Sequence, residues 1–186
     1  MSSDNTAANV AVGKPKITGA IYRAAAGTTV PTDTTTALAS AFACVGYISA
    51  DGVTNSTART TTSIKAWGGD VVADVQTEKV DTFAFTMIEA HNINVQKTAH
   101  GDTNVTGALS TGLTITENSK DLEKHAWVID MVENSVAHRI CIPDGKITNI
   151  GDVTYKDDTA ISYPVTLSAY PDSSGNTHYE YMKTSS

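Results

Sequence analysis

The chain has 186 residues, enough to bury a sizeable core and few for two independent ones, so residues 1–186 read as a single domain. With 40% hydrophobic and 18% charged residues it is composed as a folding protein, which excludes a disordered tract. Its net charge of −7 speaks against a protein that grips nucleic acid, which needs Lys and Arg opposite the phosphates, but is compatible with one that lets nucleic acid slide past.

Residues 1–13 are small and polar without periodicity and read as a flexible N-terminal arm that orders on a neighbour, with Val10 and Val12 as its contact residues. "KITGAIYRAA", Lys16 to Ala25, reads as the first strand. The Thr-rich segment after Pro31 predicts a surface loop, with Asp33 or Thr34 capping a short helical turn through Ala41. "CVGYISADG" predicts a strand closed by an Asp51-Gly52 turn. "STARTTTSIKAW" and "DVVADVQTEKV" flank Gly68-Gly69, whose tolerance of positive φ suits a tight reversal, so residues 54–80 read as one long hairpin.

In "TFAFTMIEAH", Phe83, Phe85 and Met87 fall on one face in the two-residue period of a half-buried strand. "NINVQKTAHG" predicts a short helix with Asn92 as N-cap and Gly101 just past its end. A small-residue loop, "GDTNVTGALSTG", precedes "HAWVIDMVENSVAHRICI", read as two strands joined by a turn near Glu133-Asn134-Ser135. Asp144-Gly145 is a hairpin signal. "AISYPVTLSAYPD" alternates cleanly, and its Pro164 predicts a sheet edge or a bulge. A final strand, "NTHYEYMK", follows a Ser174-Gly175-Asn176 turn. The sum is a mainly β chain: a β-sandwich or partly closed barrel with one short helix, an extended hairpin and an N-terminal arm.

No apolar run approaches the roughly 20 residues that span a bilayer, and the start lacks a basic, apolar signal, so the chain is expected to stay in the cytoplasm where it is made. Cys44 and Cys141 have no CxxC spacing and read as reduced, buried thiols. His91, His100, His125, His138 and His178 form no zinc-ligand pattern, and no GxSxG, Walker A or GxGxxG motif is present. No catalytic residue, metal site or cofactor is therefore assigned. Asp70, Asp74 and Glu78 share one parity of the predicted strand, with Asp81 and Asp130 on strands nearby. They make either a solvated face or the acidic lining of a channel; a calcium loop would need closer spacing.

The segment "GKPKITGAIYRAAAGTTVPTDTTTALASAFACVGYISADGVTNS", then "IKAWGGDVVADVQTE", "TFAFTMIEAHNINVQKTAHG" and a Pro-Asp-Gly turn, resembles the major tail proteins, or tail tube proteins, of long non-contractile-tailed (siphophage-type) bacteriophages. The resemblance runs from about Val12 to Tyr170 in the family's order. It implies a β-sandwich subunit that forms hexameric rings, stacked into a tube around a tape-measure protein that DNA later replaces. It also implies tail-tip and terminator proteins as further partners, contact between subunits through the arm and the long hairpin, assembly in the host bacterial cytoplasm and residence in the virion tail. On that basis Trp67, Gly68, Gly69 and Asp70 at the hairpin tip, with Val10 and Val12, are expected at the subunit and ring interface. Asp74, Glu78, Asp81 and Asp130 are expected to line the lumen, where six copies would carry about −42 per ring. The alternative is a virion decoration or adhesion module that binds an external ligand. An enzyme with a dispersed site is disfavoured by the missing motifs.

Overall fold

The computed structural model describes residues 6, 10–16, 18–133 and 135–184. The rest of the predicted arm, residues 1–5 and 7–9, lies outside the described residues, as does Asn134 of the predicted turn. The chain is mainly β, with strands β1 Ile21–Ala25, β2 Ala43–Cys44, β3 Ile48–Lys65, β4 Val71–Met87, β5 Val105–Ala108, β6 Gly112–Ile115, β7 Lys124–Glu133, β8 Val136–Ile150, β9 Tyr163–Ala169 and β10 Tyr179–Thr184. Among the described residues one α-helix, α1 Ile93–His100, interrupts them, followed by a short 3-10 turn at Asp102–Asn104.

Eight strands form one antiparallel sheet in the order β2-β1-β7-β8-β9-β4-β3, with β10 added to β8; β5 and β6 form a separate two-stranded ribbon. That ribbon replaces the loop expected over this stretch. Strand β8 is the spine of the sheet. Its first half, Val136 to Cys141, carries β10, and its second half, Gly145 to Ile150, carries β9. The change of partner falls at Pro143-Asp144-Gly145, where the register against β7 jumps from Trp127↔Ile142 to His125↔Gly145. The hairpin signal at Asp144-Gly145 is thus realised as a bulge within one strand. Gly145 is needed there for space: a Cβ would stand 2.9 Å from both Leu167 Cδ1 and Trp127 Cδ1. The Trp127 indole N–H donates to the Gly145 carbonyl at 3.3 Å.

Alternation along the strands divides the apolar residues between two layers. Trp127 and Ile129 of β7 join Phe83, Phe85, Met87, Ile142, Val165 and Leu167 in the main core, which α1 closes with Val95 and Ala99. Asn92 caps α1 as expected, its side chain accepting from the Asn94 N–H at 2.9 Å. Ala126 and Val128 face the other way, with Phe42 and Cys141, beneath Val30 and Leu38 of the loop after β1. No helical turn forms in that loop. Asp33 instead spends its carboxylate on the Thr35 and Thr36 N–H groups, at 2.7 and 2.5 Å, in a local turn that competes with a helix.

Three further expectations are corrected. Asp51-Gly52 does not end a strand: β3 runs through it, with an irregular register between Ile48 and Val53 and Gly52 at φ 70°. Pro164 lies near the start of β9, which is interior between β8 and β4, and pairs with Thr86 in regular register; the shift between Ile147 and Asn149 falls opposite Leu167 and Thr166. Cys141 is buried as expected, but Cys44 is only half-buried; both are free thiols. Burial pushes the Cys141 thiol up to about 12.

Candidate functional site

β3 and β4 outrun the rest of the sheet. β9 pairs with β4 only from Asp81 to Met87, so beyond Asp81 the two strands continue as a free ribbon of roughly 34 Å, at about 3.4 Å per residue. Every residue from 54 to 79 is exposed. The hairpin is thus longer than the 54–80 expected, beginning at Ile48 and ending at Met87. An isolated two-stranded ribbon is marginal in water, so this one stands on interactions at its base or with another surface.

The tip is a tight reversal. Ala66 N–H donates to the Asp70 carbonyl at 2.8 Å and Gly69 N–H to the Ala66 carbonyl at 3.0 Å. Gly68 and Gly69 have φ 118° and 102°, the left-handed region that other residues enter at a cost, which explains the pair. Trp67 projects from this turn at 107% relative exposure, without an apolar neighbour to cover it. Ile64, Val71, Val72 and Val75 are exposed close by in the chain.

The ribbon's two faces differ chemically. Pairing of Thr60 with Glu78 and of Thr61 with Gln76 leaves Thr77 as an extra residue, a bulge that shifts the parity of β4. One face, continuous with Phe83 and Phe85 of the core, carries Arg59 opposite Lys79, Thr61 opposite Gln76, and Ser63 opposite Asp74. Arg59 donates to Gln76 at 2.7 Å and Ser63 to Asp74 at 2.5 Å across it. The outer face pairs Ala58 with Val80, Thr60 with Glu78, Thr62 with Val75, and Ile64 with Ala73.

The four acids assigned to a lumen are therefore not one surface. Asp74 and Glu78 are both exposed but lie on opposite faces, because the bulge breaks the alternation that placed them together. Asp81 and Asp130 are buried inside the subunit and are withdrawn from any wall. Asp81, fully buried where the ribbon leaves the body, accepts from Thr57 at 2.6 Å, from Lys79 at 2.5 Å and from Thr177. Burial by itself would raise its pKa; the hydrogen bonds from Lys79, Thr177 and Thr57 outweigh it and bring the carboxyl down to about 2. Asp130 is held by a two-pronged Arg139 contact at 2.6 and 2.9 Å. The same guanidinium reaches the carbonyls of Asp33 and Thr36 at 3.0 and 2.7 Å, so it ties the loop after β1 to the sheet. Its own pKa is raised, chiefly by the Asp130 hydrogen bonds.

Val10 and Val12 are exposed, as an interface role requires. Lys14 and Lys16 hydrogen-bond to β7 at Val132 and Asp130, extending its edge beyond β1. The arm thus follows β7 while the tip belongs to β3 and β4, with β8 and β9 between, and the structure does not gather Val10, Val12 and Trp67 into one patch. Of the residues that anchor the ribbon, Thr57, Lys79 and Thr177 were not singled out in the sequence, and Asp81 was read there as a lumen acid. Their partners are up to 98 positions apart, beyond any local signal.

A second feature lies at the base of the ribbon on its outer face. Asp51, Gly52, Thr54, Ala84, Thr86, Asn149, Gly151, Pro164 and Thr166 line a shallow groove of about 230 Å³ across β3, β4, β9 and the end of β8. A broader depression lies beside Ile88 to Asn92 and Ile161.

A model of the phage tail tube protein family matches residues 4–185. No curated protein sequence matches the chain. Among solved structures, the cryo-EM structure of the anti-feeding prophage cap, a tube-terminating cap, is similar at a TM-score of 0.45 and 10% identity. That match covers 98% of this chain and 100% of the other.

Proposed function

Because the chain belongs to the phage tail tube protein family, a structural and non-enzymatic group of the virion tail, we propose that its copies close into hexameric rings and stack into the tube of a long, non-contractile tail. A tape-measure protein fills the bore during assembly in the host cytoplasm, tip and terminator proteins close the two ends, and DNA passes later without specific binding.

The observation that carries this reading is the ribbon. Twenty-six consecutive residues, 54 to 79, are exposed on both faces and end in a bare indole. In a lone subunit such a projection has little to hold it; against neighbouring copies it gains cover for its side chains and partners for its open edges. The subunit's sheet is open, with β2 and β3 at its ends. Joined edge to edge, six such sheets make a closed wall without an exposed edge.

The net charge of −7 per subunit suits a conduit that repels phosphates. Since Asp74 and Glu78 face opposite ways, at most one of them lines the bore. Asp74→Lys and Glu78→Lys phage should both assemble, and only one should eject DNA slowly; normal ejection by both removes the acidic-lumen element. Negative-stain microscopy of the purified wild-type protein tests the reading as a whole. Hollow tubes or six-fold rings are expected, and a strict monomer at high concentration contradicts it.

A further inference from the structure

Resting on the tube reading, we propose that Trp67 of one copy docks into the groove formed by Ala84, Pro164, Thr166 and Gly52 at the ribbon base of the next copy. Three observations support it. The first is a knob without a hole: Trp67 is fully exposed, and an indole is the side chain that most often anchors a protein interface when it finds a dry pocket. The second is a hole without a knob. The groove holds about 230 Å³, whereas a cavity of about 150 Å³ holds a benzene ring, so a bicyclic indole fits. Gly52 and Gly151 carry no side chain into it, and Pro164 and Ala84 supply flat apolar contact. The depression by Ile88 is far larger and does not close round one ring.

The third is reach. Trp67 is 13 residues from Thr54, on a strand that rises about 3.4 Å per residue, so the tip stands roughly 40 Å from its own groove. Paired along its length, the ribbon cannot fold back on itself, and only another copy can bring a Trp67 to that groove. Charge is consistent with this occupant: Lys65 precedes the indole at the tip, and Asp51 stands at the groove rim, accepting from Ser49 at 3.2 Å. Asp70, also at the tip, faces the opposite requirement and must point away. Since knob and groove are different patches, the contact is head-to-tail, a geometry that builds rings or open stacks rather than a two-fold dimer.

The test uses full-length protein and four chains: wild type, Trp67→Ala, Ala84→Glu and the double variant. Trp67 and Ala84 are both exposed, and thermal unfolding of each variant checks that the subunit folds. Each single variant should raise the protein concentration needed for assembly about thirtyfold, the size of an interface anchor. The double variant should lose no more than either single, because both remove one contact. In addition, an equimolar mixture of the two singles should shift Trp67 emission to the blue, as the Ala84→Glu tip enters the intact groove of the Trp67→Ala copy. Losses that multiply in the double variant, or unchanged emission in the mixture, overturn the docking. If the variants assemble like wild type, the docking fails while the tube stands; if wild type itself forms no assemblies, the tube reading fails with it.

Discussion

Asp81→Asn removes the charge on which the base of the ribbon is built. In the wild type the fully buried carboxylate receives hydrogen bonds from Thr57 of β3, Lys79 of β4 and Thr177 ahead of β10, so three separate segments meet on one side chain. The amide keeps the shape but turns an N–H₂ toward donors it cannot accept from, and leaves the half-exposed Lys79 ammonium without its counter-charge. Breaking a fully buried ion pair costs about 3–5 kcal/mol; with Lys79 open to solvent, about 2 kcal/mol is the working figure. At 2–4 °C per kcal/mol for a chain of this size, the midpoint should fall by roughly 4–8 °C in scanning calorimetry. The pH dependence has a definite sign. The carboxyl titrates at about 2 when folded against 3.8 when unfolded, so its stabilisation is complete above the unfolded value and is lost as pH falls from about 4 toward 2. Wild type should therefore exceed Asp81→Asn in stability at neutral pH, and the two should converge near pH 2. A midpoint within 1 °C of wild type at pH 7, or a gap that persists at pH 2, refutes the reasoning.

Two other predictions concern the body of the subunit. Arg139→Met leaves Asp130 without its two-pronged partner and frees the Asp33 and Thr36 carbonyls; a loss of about 3 kcal/mol, roughly 6–12 °C by calorimetry, is expected, with faster proteolysis in residues 26–42. In thiol labelling of the native protein near pH 8, Cys141 should stay unmodified until unfolding, its thiol being pushed up to about 12 beneath Tyr179 and Tyr181, while the half-buried Cys44 is the first site to react.

What the sequence made legible was local. The Asn92 cap, the Gly68-Gly69 reversal, the alternation of Phe83, Phe85 and Met87, and that of Tyr163 through Ala169 all depend on spacing within a few residues, and all are found where spacing places them. Turn dipeptides were misleading in two places. Asp51-Gly52 and Asp144-Gly145 were given turn roles by their propensity, but pairing to β4 and β7 holds them inside long strands as irregularities. The extra residue at Thr77 has no sequence mark, yet it decides which acids share a face. The fates of Asp81 and Asp130 were set by Thr177 and Arg139, one distant and one across a strand pair, so a carboxylate that reads as a wall charge is in fact a buried tie. The groove at the ribbon base is likewise assembled from four strand segments that only the sheet brings together.

The central claim is that the free ribbon is completed by other copies of the same chain. Cryo-electron microscopy of tubes assembled from the wild-type protein measures this directly. The account predicts six-fold rings in which residues 54–79 lie against neighbouring subunits with Trp67 covered. Tubes in which the ribbon projects into solvent with Trp67 bare, or a protein that stays monomeric under assembly conditions, would contradict it.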